Sequence, residues 1–157
     1  MNLSNLSLML AIFASAVAVG GGIFEMSVLV PQWAKNPPAS FATIQEGTGV
    51  PLQRFWIPVH IAITITLLLT VIVNWSRPTQ STLILAGIGC YVIMRAWSGF
   101  YFIPEMLAFQ KIPLESASTA ELTERVIRWG KLTWLREPLD LGLFFCLLSA
   151  LAVGRSG

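Results

Sequence analysis

Residues 95–109 read RAWSGFYFIPEMLAF, an arginine set into an apolar run that a proline and a glutamate close. The run that Arg95 interrupts extends over residues 82–102 and is long enough, at roughly 20 residues, to cross a hydrocarbon core as a helix. A guanidinium at that depth carries five donors that lipid cannot satisfy, so neighbouring helices must receive it. The rest of the chain is therefore read for the groups that meet it.

Of the 157 residues, 55% are hydrophobic and only 11% charged, with mean hydropathy +0.70; soluble domains run near a quarter charged. Spans are predicted over residues 3–30, 55–73, 82–102 and 119–153, the last with only its C-terminal part in the membrane. The expected fold is all-α: one transmembrane four-helix domain over residues 1–157, up-down-up-down. Both termini and the tight turn at 74–78 then share one side, and two long loops, 31–51 and 104–117, share the other. An integral, multi-pass protein of a bacterial inner membrane is expected. Arg77 and Arg155 lie on the termini side without acids, whereas the loop side mixes more bases with more acids, so the charge rule leaves orientation open.

The first span carries no charge before Glu25, so it is read as retained, although Ala14-Ser15-Ala16 resembles a processing site. Ala11, Ser15, Ala18 and Gly22 form a face of small residues that admits a close neighbour and permits, without demanding, homo-oligomers. The loop at 31–51 reads as a solvated connector, or as one that Trp33, Phe41 and Trp56 anchor at the interface. Pro31 and Pro104 are expected to end their helices, and Pro138 to kink the last one near 134–138 without breaking it. Ser118-Thr119-Ala120-Glu121 has capping-box spacing, and Glu121–Arg125 and Glu124–Arg128 are i,i+4 pairs in the favourable order.

Helical rise converts position into depth. Counted from the termini side at about 1.5 Å per residue, Glu25 lies roughly 28 Å in, His60 roughly 21 Å and Arg95 roughly 20 Å. Arg136, Glu137 and Asp140 fall at roughly 20 to 26 Å on the same count. Each span thus delivers an ionisable group to one level. Two readings follow. In one, the level is a structural layer of ion pairs, Arg95 with Glu25 or Asp140 and Arg136 with Asp140 or Glu137. In the other, it lines a pocket with His60, Glu25, Arg95, Arg136 and Asp140 as catalytic groups and Tyr91, Trp97, Tyr101, Trp129 and Trp134 as aromatic walls for a hydrophobic small molecule.

His60, the only histidine, has three readings: a hydrogen bond across helices, a general base beside Glu25 or Asp140, or the axial ligand of a haem. No cofactor is favoured, and haem stands as the alternative. A metal site is not expected, since no second histidine or nearby cysteine completes a zinc set. Cys90 and Cys146 fall inside spans with no Cys-x-x-Cys spacing and read as buried structural thiols. A net charge of +2 with no basic tail gives nucleic acid nothing to bind; the expected partners are membrane lipid and a hydrophobic ligand.

The chain resembles the anthrone oxygenase family of small four-helix membrane proteins. The likeness rests on the Glu25 helix ending in Val30-Pro31-x-Trp33, on Arg95 running to Ile103-Pro104 and Leu107, and on Trp129-x-x-Leu132-Thr133-x-x-Arg136. It implies oxidation of an anthrone to an anthraquinone by molecular oxygen without an evident cofactor. Glu105 and Thr133 depart from that pattern, standing where asparagine is common. Haem-dependent four-helix epoxide isomerases are a second, purely architectural likeness. A non-enzymatic carrier or assembly subunit, its charged level structural, is the third reading.

Overall fold

The structure, a computed structural model, describes residues 2–156, the side chains of Arg155 and Ser156 excepted. Arg155, expected to mark the outer end of the last span, thus has its side chain outside the described residues. Four helices carry the fold: α1, Leu3–Ala34; α2, Gln53–Asn74; α3, Pro78–Gln110; and α4, Ala120–Ser156. Each is long and apolar enough to cross a membrane, as an all-α multi-pass bundle requires.

Polar side chains hold the termini-side ends level. Ser4 donates to Asn74 Oδ1, and Asn74 Nδ2 donates to the Thr70 carbonyl at 2.8 Å. Arg77 Nη1 donates to Ser4 Oγ at 2.9 Å and to Gln80 Oε1 at 3.2 Å, while Gln80 Nε2 reaches the Ala150 carbonyl at 3.1 Å. All four helices join this network. With that end aligned, differences in length appear at the other. The 22 residues of α2 span about 33 Å, whereas the 32 of α1 and 33 of α3 reach about 50 Å. The surplus of α1, α3 and α4 therefore rises past a hydrocarbon core of about 30 Å on the loop side.

Part of that surplus corrects the expectation that Pro31 and Pro104 end their helices. A proline has no N–H, and its ring collides with the carbonyl four residues back. Here each proline follows a π-helical turn, Glu25–Leu29 and Ser98–Phe102, closed by the N–H groups of Val30 and Ile103 on the carbonyls of Glu25 and Ser98. The wider turn moves the obstructed carbonyl aside. Helix then resumes over Val30–Ala34 and Ile103–Gln110.

α4 is unbroken through Pro138. Its cap is Thr119, whose Oγ1 accepts the Leu122 N–H at 3.1 Å, one position later than the Ser118 spacing suggested. The expected Glu121–Arg125 and Glu124–Arg128 pairs do not form. Instead, Arg125 forks onto Glu105 of α3, Nε to Oε1 at 2.9 Å and Nη2 to Oε2 at 2.8 Å. Two parallel charge-assisted bonds outweigh a single contact along an exposed helix face.

Two cores result. One lies between the spans and includes Leu8, Ala11, Ala18, Ile63, Leu67, Ile84, Leu143 and Leu147, with the small-residue face of α1 buried in it. The other, on the loop side, is aromatic: Trp33, Phe41, Phe102, Phe109 and Trp129, with Trp33–Trp129 and Phe41–Phe109 centroids 5.2 and 5.4 Å apart. The α1–α2 connection is thus not a wholly solvated linker, although Glu46, Gly47 and Thr48 stay exposed. Phe41 and Ile44 are buried, and the short 3₁₀ turn Ala39–Thr43 carries them inward. The cysteines are only half-buried, and Cys90 sits against Gly142 of α4.

α1 packs on α2 and α4, and α3 packs chiefly on α4; of the neighbouring pairs, α2 and α3 touch least. A side of the bundle is therefore left loose.

Candidate functional site

At that loose side is a cavity of about 1070 Å³, walled by all four helices and by the connection before α2. Part of its lining is apolar and exposed: Ile57, Ile61 and Ile65 of α2, and Ile103 and Leu107 of α3. Its upper wall is the segment from Ile44 to Leu52, fixed because Phe41 and Ile44 are rooted in the aromatic core. Gly47 turns this segment at φ 83°, a conformation open to glycine without steric cost.

Its inner wall is ionic. Glu25 of α1, His60 of α2, Arg95 of α3, and Arg136, Glu137 and Asp140 of α4 all line the same space. Position along the helices explains the convergence on α4: Trp129, Thr133, Arg136, Glu137 and Asp140 recur at intervals of three and four and share one face. Thr133 does not reach the cavity, because its hydroxyl donates back to the Trp129 carbonyl at 2.8 Å.

The two π turns supply several of the contacts that hold this wall. Glu25, the first residue of one, accepts the Trp56 indole N–H at 2.7 Å on Oε2. Ser98, the first residue of the other, accepts Arg136 Nη1 at 3.0 Å, and the Arg136 guanidinium lies 4.7 Å from the centroid of the Phe102 ring at that turn's end. Trp129 Nε1 donates to the Phe102 carbonyl at 3.2 Å. Local widening of helix is frequent at functional sites because it re-aims side chains without ending the helix.

His60 does not hydrogen-bond to Glu25 or Asp140. Its ring stacks on Trp56, centroids 5.6 Å apart, and Nδ1 lies 3.4 Å from the Tyr91 hydroxyl. That hydroxyl also donates to the His60 carbonyl and meets Thr64 Oγ1, both at 3.1 Å, so Tyr91 ties α3 to α2. The charged groups that act on the imidazole are Arg95 and Arg136.

The layer of direct ion pairs is not formed. Among the described residues the one ion pair within 4.0 Å is Arg125–Glu105, away from the cavity wall. Arg136 feels Asp140, Glu25 and Glu137 electrostatically, and Asp140 feels Arg136 and Arg95, but across space and not in contact. Glu137 is the extreme case. It is 5% exposed, its two oxygens receive no hydrogen bond, and its carboxyl lies over Gly22 of α1.

Of the aromatic walls expected from sequence, Tyr91 and Trp129 line the cavity; Trp97, Tyr101 and Trp134 do not. Trp97 and Tyr101 flank the aromatic core, and Trp134 is 51% exposed on the outer face of α4. Trp56 and Ser98 are among the wall residues that sequence reading left out of the site, and Glu137 was placed at the ionic level but not among the catalytic groups. Trp56 precedes His60 by one helical turn, which was a usable signal; nothing in the sequence marked Ser98 as the partner of Arg136.

No family model matches this chain, and neither a curated protein nor a solved structure was found similar to it.

Proposed function

We propose that the protein is an oxygenase-like membrane enzyme acting on a hydrophobic aromatic substrate that reaches the cavity from the bilayer. One observation carries this reading: ionisable groups from all four spans face a common cavity without pairing with one another. A purely structural layer would neutralise itself by contact, because charges buried at this depth are costly when unpaired. Charges held apart around an apolar space act instead on charge that develops within it.

The likeness to the anthrone oxygenase family names the reaction class. Its two departures lie off the cavity wall, Glu105 bonded to Arg125 and Thr133 to its own helix, so neither alters the ligand's surroundings directly. In this reading a group of the wall, His60, Glu25 or Asp140, takes a proton from the ring methylene that lies opposite the carbonyl and is conjugated to it through the flanking arenes. The electron pair left on the substrate is spread onto its oxygen, opposite Arg95 and Arg136, and then bonds to molecular oxygen. The resulting hydroperoxide loses water and leaves a new carbonyl, so no outside reductant is needed. A bacterial inner membrane is assigned on the family likeness alone.

Oxygen consumption by the purified protein with an anthrone tests this. A rate that falls in His60→Ala, Glu25→Gln and Arg95→Gln supports it, and a rate unchanged in all three eliminates the mechanism. A Soret band abolished by His60→Ala would transfer the reading to a haem enzyme. Absence of both turnover and ligand-dependent thermal stabilisation would favour a non-enzymatic carrier or assembly subunit.

A further inference from the structure

Four ionisable groups of the inner wall are held or enclosed by neighbours, and two are not. Glu25 accepts the Trp56 indole N–H, Arg136 donates to Ser98, His60 meets the Tyr91 hydroxyl, and the oxygens of Glu137 are sealed against Gly22. Arg95 and Asp140 remain. No hydrogen bond reaches either side chain, although both line the cavity and Asp140 is only 8% exposed. Unlike the Glu137 oxygens, those of Asp140 are not closed off, so the little surface they keep opens on the space that the residue lines.

The two sit at one level on antiparallel neighbours. Toward the loops, α3 and α4 are registered by Arg136 Nη1 on Ser98 Oγ at 3.0 Å; toward the termini, by Cys90 against Gly142. Arg95 lies between Ser98 and Cys90, and Asp140 between Arg136 and Gly142. Opposite charges so placed inside a bilayer ordinarily close into a bonded pair, because each alone is costly there. These do not. No nitrogen–oxygen approach within 4.0 Å joins them, and Asp140 feels Arg95, like Arg136, across space. The gap is a place for a polar group that supplies what each side chain lacks.

We infer that Arg95 and Asp140 seat the polar head of the ligand, an uncharged group that joins a carbonyl acceptor to an N–H or O–H donor, as a carboxamide does. The guanidinium donates to the carbonyl, and the carboxylate accepts the N–H or O–H. One cation and one carboxylate already balance, so a charged head would leave one of them uncompensated. The remainder of the ligand is apolar, because Ile57, Ile61 and Ile65 of α2 and Ile103 and Leu107 of α3 line the same cavity. The inference rests on the cavity being a ligand site, and it sharpens that reading by placing a carbonyl oxygen at Arg95.

The test uses three probes of nearly one shape: 2-naphthamide, with acceptor and donor; 2-acetylnaphthalene, with the acceptor alone; and 2-isopropenylnaphthalene, with neither. Each is titrated by thermal shift against the whole protein in nanodiscs, at equal mole fraction in lipid. Wild-type protein is expected to bind the amide about tenfold or more tightly than the ketone, and the ketone about tenfold or more tightly than the alkene. Asp140→Leu removes the first step and keeps the second, and Arg95→Met removes the second. Should either variant fail to fold, Asp140→Asn and Arg95→Gln, which keep a polar atom without the charge, are expected to shrink the same steps to about threefold. Equal binding of amide and ketone or of ketone and alkene by wild-type protein, a step undiminished by its substitution, or stabilisation by none of the probes overturns the inference. Oxygen uptake with an anthrone separates this outcome from failure of the enzymatic reading. Uptake without the stepped affinities removes this seat alone, and stepped affinities without uptake leave a binding site that is not an oxygenase.

Discussion

Trp56 of α2 and Glu25 of α1 are joined by a 2.7 Å hydrogen bond from the indole Nε1–H to Oε2, at the residue where α1 widens into its π turn. The bond fixes the carboxylate at the cavity wall and sets the indole face beneath His60. A single side chain therefore positions two of the candidate catalytic groups.

Trp56→Phe keeps the ring stack and removes the donor. Glu25, 8% exposed, then loses its hydrogen bond, a cost of about 1–3 kcal/mol for a buried acceptor left without a donor. Unfolding in mixed detergent micelles should show this loss. Combined with Glu25→Leu, the second substitution should cost much less than it does alone, because the two act through one bond.

The α1–α2 connection is the cavity's upper wall only because Phe41 is rooted among Trp33 and Phe109. Phe41→Ala is expected to lower stability by about 3–5 kcal/mol, the usual cost of emptying an aromatic core position. Limited proteolysis should then cut at Gly47 to Val50 in the variant much faster than in the wild type.

Much of this fold was legible in the sequence, and the parts that were not share a cause. Hydropathy gave four spans, and rise per residue gave a common depth for Glu25, His60, Arg95, Arg136, Glu137 and Asp140, all of which line the cavity. Pro31 and Pro104 misled because proline signals a lost hydrogen bond, whereas the compensating π turn leaves no composition signal of its own. Arg125 misled similarly: its i,i+4 partner Glu121 is visible in sequence, but the Glu105 that it takes is on another helix. Trp97 and Trp134 were placed by aromatic character alone, and neither lines the cavity.

Arg125 and Glu105 provide a check on the loop-side packing. Both are partly solvent-exposed, side chains 32% and 20%, so the forked pair is worth about 1 kcal/mol and less in high salt. Glu105→Ala and Arg125→Ala should each lower the melting temperature slightly, and the charge-swapped double variant Glu105→Arg with Arg125→Glu should recover part of the loss. Equal recovery in 1 M salt, roughly a 3 Å screening length, would show that packing and not charge was responsible.

Whether the ionic wall faces a cavity open to small molecules is decided by comparing Thr64→Cys with Leu68→Cys, each in a Cys90→Ala, Cys146→Ala background in lipid vesicles. The two positions are one turn apart on α2 and both exposed, but only Thr64 lines the cavity. A water-soluble thiosulfonate reagent should modify Thr64→Cys at least about tenfold faster than Leu68→Cys, whose surroundings are acyl chains, and 2-naphthol should slow the first reaction and leave the second unchanged. Equal protection of both thiols would contradict the account, since the four helices would then close on one another with no space for a ligand between their charges.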